Sequence, residues 1–125
     1  MEKIFKPKEI NKFAKLTGDF NRLFFDKQYC KNTIFKKPIV QGMLSGSLFS
    51  TLIHQQFGNS FYLSQTFKFL KPVYVAEELT VQIKVEEEKF IKNKIIYELQ
   101  TRLYSKQRMD LCIDGRAKIL LFAQD

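Results

Sequence analysis

The stretch Phe35–Phe57 constrains the fold more than any other part of the chain, because it predicts a helix with no broad polar face. This helix is expected to begin near Gly42 and to end at Gly58, a residue type suited to the position after a helix. A helix that is apolar nearly all round is normally buried. At about 15 residues it is too short to cross a membrane. The sequence therefore predicts a core organised around one long buried helix.

Small residues recur along one side of this helix at Gly42, Gly46 and Ser50, each four positions from the last. Minimal side chains at this spacing allow a strand, a second helix or a ligand to come close to the backbone. The N-terminal end also carries free N–H groups and the positive end of the helix dipole, which favour a developing negative charge. The helix start is thus a candidate binding position.

The length of 125 residues predicts a single domain, 1–125, and a hydrophobic content of 45% makes disorder improbable. The net charge of +8 comes from lysines that are spread along the chain and mixed with glutamates. Such a pattern usually marks a solvated surface, although it also suits a phosphorylated ligand or an acidic carrier protein. Nucleic acid is not an expected partner, because it would favour a clustered basic face with aromatics.

The two cysteines, Cys30 and Cys112, lack the spacing of metal ligands and predict free thiols in a reducing compartment. We expect no metal site. Residues Met1–Lys8 carry charges and are not followed by the apolar run of a signal peptide. These features predict a cytoplasmic protein without a membrane segment.

The first third of the chain predicts short elements with recognisable ends. A brief edge strand is expected at Ile4–Phe5, and Pro7 opens an amphipathic helix that turn residues around Gly18 terminate. Asp26 is suited to cap a short helical turn through Gln28–Lys31.

After Gly58 the pattern changes to the alternation typical of strands, with four predicted segments at 61–69, 79–85, 95–103 and 111–121. Pro72 is expected to interrupt the ladder, and Gly115 is a candidate bulge. We predict a four-strand antiparallel meander whose apolar face curls around the helix. Because one sheet cannot cover such a helix completely, a homodimer is expected. This α+β arrangement is the hot-dog fold.

Two motifs resemble the MaoC-like dehydratases, and above all the (R)-specific enoyl-CoA hydratases. They are Phe13-Ala-Lys-Leu-Thr-Gly-Asp19-Phe-Asn21 and Pro38-Ile-Val-Gln-Gly42-Met-Leu. The resemblance extends from about Phe13 to Leu121. It implies a hot-dog dimer or higher oligomer that binds an acyl-CoA or acyl-carrier-protein thioester and adds water to a trans-2-enoyl group, or removes it. It implies no cofactor beyond coenzyme A as part of the substrate.

The resemblance also implies site residues. Asp19 would be catalytic, and the backbone N–H of Gly42 would stabilise the thioester oxygen. The substrate-binding positions implied in the same way are Asn21, Phe24, Gln41 and Ser50. The family signature Gly-Asp-x-Asn-Pro-Leu-His-x-Asp departs here at two points, because Arg22 replaces its Pro and Phe24 its His. Gln41 stands where a second His is frequent. Since Phe24 cannot transfer a proton, the resemblance predicts intact binding with impaired chemistry.

Local structural explanations remain open for each of these residues. Asp19 could cap the end of the first helix, Asn21 could satisfy nearby backbone groups, and Ser50 could be a small packing residue. The sole histidine, His54, lies about 18 Å along the helix from Gly42 at 1.5 Å per residue, and is expected to be a polar helix-end residue. The alternatives to hydration are a non-catalytic acyl-thioester-binding protein and, by fold analogy alone, an acyl thioesterase.

Overall fold

The computed structural model describes residues 1–122, which form one six-stranded antiparallel sheet and a set of short helices. The helices are α1 (Pro7–Thr17), a 3-10 turn (Arg22–Phe24), α2 (Lys27–Lys31), α3 (Gly42–Gly46) and α4 (Leu48–Phe57). The strands are β1 (Glu2–Ile4), β2 (Phe61–Gln65), β3 (Lys68–Phe69), β4 (Glu78–Ile91), β5 (Lys94–Ser105) and β6 (Asp110–Phe122).

The strand order is β1-β4-β5-β6-β2, and β3 also pairs with β6. The predicted meander is therefore wrong at one connection, because the segment 61–69 does not pair with the next strand along the chain. It lies beyond β6, and the residues after Pro72 cross the sheet so that β4 can begin beside β1. Only Tyr74 of this crossing forms a ladder contact, an isolated bridge to Ile39. Strand alternation predicts which face is buried but does not name the pairing partner.

Gly115 lies within β6 opposite Thr101, and the register shift between β5 and β6 falls at Leu103/Tyr104 instead. The predicted bulge at Gly115 is thus wrong. A Cβ at this position would lie 2.0 Å from the backbone oxygen of Thr66, in the break between β2 and β3. Glycine is present because the Thr66 backbone, which runs alongside β6, lies too close to this position for any side chain.

The central helix is two segments that meet at Ser47, whose backbone stays in the helical region (φ −62°, ψ −20°). The Ser47 hydroxyl donates to the Leu44 carbonyl at 2.6 Å. The buried side of α4 faces the sheet and consists of Leu48, Phe49, Leu52 and Ile53. In this single chain the opposite side, which includes Ser50 and His54, is exposed. The expected burial all round therefore holds only for the side that faces the sheet.

Two apolar clusters form the core between helix and sheet. The larger includes Phe49 and Leu52 with residues of β4, β5 and β6, and the smaller joins Ile53 to Leu99 and Ile119. The curled sheet thus wraps the buried side of the helix, as predicted.

The capping and turn residues in the sequence predicted the ends of the helices well. Gly18 has a left-handed backbone (φ 80°) and ends α1, and Gly58 (φ 72°) ends α4. The Asp26 carboxylate caps α2 by accepting the Tyr29 N–H at 3.0 Å. β1 forms the predicted edge strand, although it ends at Ile4 and leaves Phe5 buried beyond it. None of the helices within residues 1–122 is both long and apolar enough to cross a membrane.

A buried ion pair fixes the β5–β6 turn to the segment before β4. Arg108 donates from Nε to one Glu77 oxygen at 2.6 Å and from Nη2 to the other at 2.9 Å. The same Nη2 donates to the Pro72 carbonyl at 2.7 Å. Burial raises the pKa of Glu77, but the hydrogen bonds from Arg108, Ser105 and the Tyr74 N–H outweigh it and leave the pKa below its ordinary value.

Candidate active site

The segment that carries the first motif is tied to the approach to the central helix. The Ile39 N–H donates to the Leu23 carbonyl at 3.0 Å, three residues before Gly42. Residues 18–24 themselves form a series of capped turns. This connection places the two motifs side by side at one end of the molecule.

Asp19 and Asn21 are exposed and bond to the local backbone. Asp19 Oδ1 accepts the Asn21 N–H at 3.2 Å, and Asn21 Oδ1 accepts the Leu23 N–H at 3.0 Å, which caps the 3-10 turn. The structural explanation left open for Asn21 is therefore observed. Asp19 shapes the same turn, and its catalytic role stays a prediction.

Phe24 occupies the position that the resemblance assigns to a histidine. Its half-buried ring packs against the larger core cluster and meets Phe25 edge-on, with centroids 6.2 Å apart at 81°. It lines a cavity of about 470 Å³ together with Ile10, Pro38 and Val75. At this point in the site the chain offers neither a proton nor a hydrogen bond.

Arg22 and Asp26 form a pair of their own beside the motif. Arg22 donates from Nε and Nη2 to Asp26 Oδ2 at 3.1 and 3.0 Å, while Oδ1 caps α2 through Tyr29. The Tyr29 N–H and then Arg22 lower the pKa of Asp26. Asp26 is thus a structural acceptor, and Arg22 strengthens the turn in place of the family's proline.

Gly42 begins α3 and borders the larger apolar cavity, of about 580 Å³. A Cβ on Gly42 would lie 2.8 Å from the Phe69 ring, which packs over the helix there. As the first residue of the helix, Gly42 has an N–H without an intrahelical acceptor. The other lining residues are apolar except Ser45 and Lys71: Ile34, Phe35, Ile39, Val40, Met43, Phe69, Leu70, Pro72, Val73 and Ile113.

Two polar side chains are buried at the start of the central helix. Gln41 is 2% exposed and donates from Nε2 to the Ile10 carbonyl at 2.9 Å, but its Oε1 has no hydrogen-bond partner. Ser45 is 0% exposed, lines the larger cavity, and has no partner for its Oγ. Ser45 was not among the predicted site residues. Its position, three residues after Gly42 among small residues, was the available signal.

Ser50 and His54 lie on the exposed side of α4. Ser50 lines neither of the two cavities described above. His54 Nδ1 lies 3.2 Å from the Gly58 carbonyl, at the far end of the helix from Gly42. His54 is therefore the polar helix-end residue that was expected.

The structure thus brings only part of the predicted set together. Gly42 shares its cavity with Ser45, whereas Phe24 lines the neighbouring one. Asp19 and Asn21 line neither of these two cavities. Cys30 and Cys112 are buried free thiols, and residues 1–122 contain no group of three or more His, Cys, Asp or Glu side chains placed to hold a metal.

A curled antiparallel sheet around a helix that begins with a glycine beside an apolar cavity defines the hot-dog class of α+β proteins. Comparison with known proteins agrees with this class. A model of the MaoC like domain family matches residues 2–107, so the chain belongs to this family.

Similar proteins fall in the same class. The (R)-specific enoyl-CoA hydratase of Aeromonas caviae is 38% identical over 123 residues, which cover 97% of this chain and 90% of the relative. The mitochondrial 3-hydroxyacyl-[acyl-carrier-protein] dehydratase FERN of Solanum lycopersicum is 38% identical over 94% of this chain and 70% of its own length. The solved (R)-hydratase of A. caviae superposes with a TM-score of 0.87 at 38% identity, over 95% of this chain and 89% of that one. R-hydratase PhaJ1 of Pseudomonas aeruginosa gives 0.85 at 31% identity, over 99% and 79%.

Proposed function

We propose that this chain is a MaoC-like hydratase/dehydratase homologue that binds an acyl thioester but hydrates it slowly or not at all. The thioester oxygen would accept a hydrogen bond from the Gly42 N–H, and the acyl chain would enter the apolar cavity that Gly42 borders. The names of the relatives, an enoyl-CoA hydratase and an acyl-carrier-protein dehydratase, support an acyl thioester as ligand.

The observation that carries the proposal is Phe24. Hydration of a trans-2-enoyl thioester forms a C–O bond at C3 and a C–H bond at C2, so a base must take a proton from water while an acid supplies one. Loss of one acid–base partner commonly lowers the rate by about 10²–10⁴-fold. Asp19 is the one ionisable side chain of the predicted set, and the sole histidine is at the other end of the helix. A non-catalytic acyl-thioester-binding protein is therefore the second candidate.

The proposed partners follow from exposed apolar residues and from the charge of the chain. The terminal strands β2 and β3 expose Phe61 (63%) and Phe69 (54%), and the helix exposes Met43 (59%), which together support a homodimer formed along this edge. Lys71 at the cavity and the charge of +8 suit either coenzyme A or an acidic carrier protein. We propose no cofactor, and a cytoplasmic location on the basis of the two free thiols.

The direct test follows the enoyl absorbance of crotonyl-CoA with purified protein, together with calorimetric binding of butyryl-CoA, which cannot be hydrated. We expect binding of butyryl-CoA and little or no loss of the enoyl absorbance. Rapid hydration by the wild-type protein would contradict the role given to Phe24, and failure to bind butyryl-CoA would contradict the proposed ligand.

Phe24→His is expected to raise the hydration rate by at least about tenfold, because it restores an imidazole that can exchange protons near neutral pH. Phe25→His is the matched control, since Phe25 lines the same cavity and is 37% exposed. It should leave the rate unchanged. If Phe24→His folds and binds butyryl-CoA but shows no gain, the site does not have the family's geometry.

A further inference from the structure

Within residues 1–122, the buried side-chain nitrogen and oxygen atoms without a hydrogen-bond partner are Gln41 Oε1 and Ser45 Oγ. Leaving such atoms unsatisfied destabilises a fold, so each calls for an explanation. A serine hydroxyl in this helix can bond to a backbone carbonyl of the preceding turn, as the Ser47 hydroxyl does by donating to the Leu44 carbonyl at 2.6 Å. Ser45 is 0% exposed and makes no such bond.

The two atoms do not line the same cavity. The Gln41 side chain donates to the Ile10 carbonyl, and Gln41 lines neither of the two cavities described above. Side chains on a helix lean towards its N-terminus, so Ser45 leans back towards Gly42. Ser45 and Gly42 line the same cavity of about 580 Å³, whose remaining wall is apolar apart from Lys71. An unpaired hydroxyl in an apolar wall marks the point where a ligand's polar group would be held.

We propose that Ser45 Oγ binds a hydroxyl group on the third carbon of the acyl chain. This inference rests on the proposed function, which puts the thioester oxygen at the Gly42 N–H. The third carbon is two bonds from the thioester carbonyl carbon, and Ser45 is one helical turn from Gly42, so the two are within reach.

The hydrogen bonding is complementary. The ligand hydroxyl accepts from the Ser45 O–H, which gives the buried Oγ the partner that it lacks in the ligand-free chain. Ser45 is thus a specificity residue that favours 3-hydroxyacyl over unsubstituted acyl thioesters.

The test compares the binding of (R)-3-hydroxybutyryl-CoA and butyryl-CoA by calorimetry. The wild-type protein should bind the hydroxylated ligand about tenfold more tightly, the factor expected for one added hydrogen bond of ordinary strength. Ser45→Ala should bring the two affinities together and leave that of butyryl-CoA unchanged. The ligand-free variant should have an equal or higher melting temperature, because an unpaired buried hydroxyl is removed. A purely structural serine would instead lower it.

Ser47→Ala is the matched control in the same helix, since its exposed hydroxyl lies outside the cavity. It should keep the tenfold preference. Equal wild-type affinities for the two ligands would overturn the inference whether or not Ser45→Ala folds, and would leave the proposed function standing. A preference that survives in Ser45→Ala would also overturn it. Binding of neither ligand would overturn the proposed function together with the inference.

Discussion

Gly115→Ala tests the closest contact that an added Cβ would make at any glycine of this chain. The new Cβ would lie 2.0 Å from the Thr66 carbonyl oxygen, whereas ordinary contact begins at 3.4 Å. Thr66 must therefore retreat by about 1.4 Å (3.4 minus 2.0). Two hydrogen bonds hold it in place, from Thr66 N–H to the Arg116 carbonyl at 2.8 Å and from Arg116 N–H to Thr66 Oγ1 at 3.0 Å.

Loss or distortion of both bonds costs about 1–3 kcal/mol, and strain from overpacking adds roughly 1–3 kcal/mol. The lower conformational entropy of unfolded alanine offsets about 0.5–1 kcal/mol. We therefore expect Gly115→Ala to reduce the free energy of unfolding by roughly 2–4 kcal/mol. Urea unfolding followed by circular dichroism measures this directly, at one fixed protein concentration because any dimerisation would couple to stability.

Gly18→Ala is the matched control. A Cβ there meets nothing within 4 Å, and only the left-handed backbone (φ 80°) opposes it, at about 1–2 kcal/mol. Gly115→Ala should therefore be clearly the more destabilising of the two. If its effect lies within about 0.5 kcal/mol of zero, the range of neutral surface substitutions, the account of the close contact between Thr66 and Gly115 is wrong.

Two further predictions concern the Glu77–Arg108 pair. Arg108→Met leaves the Glu77 carboxylate buried without its partner and should lower the free energy of unfolding in urea by roughly 2–4 kcal/mol. This is somewhat less than for a fully buried pair, because the Arg108 side chain is 30% exposed. A loss below about 0.5 kcal/mol would contradict this prediction. Because the folded-state pKa of Glu77 lies below its ordinary value of 4.5, ionised Glu77 stabilises the fold above that pH and loses its contribution as the pH falls through the folded-state pKa. The acid limb of a pH–stability curve should accordingly be shallower in Glu77→Gln than in the wild-type protein, and identical limbs would refute the linkage.

The sequence predicted helix ends best where they depend on interactions between residues close together in the chain. Gly18 and Gly58 end helices because their backbones need positive φ, and Asp26 caps α2 with its own carboxylate. These effects involve residues two to four positions apart, so the sequence contains both partners. The apolar alternation also predicted the buried face of β5 and β6 correctly. It was wrong for the segment 61–69, where Phe61, Leu63 and Phe69 are exposed.

The errors concern contacts between distant parts of the chain. The alternation of 61–69 predicts a strand but not that it pairs with β6 rather than β4. Gly115 was predicted as a bulge because the sequence does not show that the backbone of Thr66, 49 positions away, lies against it. Ser45 was missed for a related reason. A serine in a helix usually bonds to its own backbone or to water, and only the packed structure shows that this hydroxyl has neither a bond nor exposure.

The two positions where a histidine is expected from the family, Phe24 and Gln41, carry no ionisable side chain, and this separates recognition from chemistry. A hydroxyl at Ser45 can hold a ligand oxygen by a hydrogen bond, but it is neither an acid nor a base at neutral pH. Phe24 removes the imidazole that the family signature provides, and Asp19 remains on an exposed turn that it helps to shape. On the proposed function, the helix start would hold the thioester oxygen through the Gly42 N–H, while the segment 18–24 offers Asp19 no imidazole partner for proton transfer.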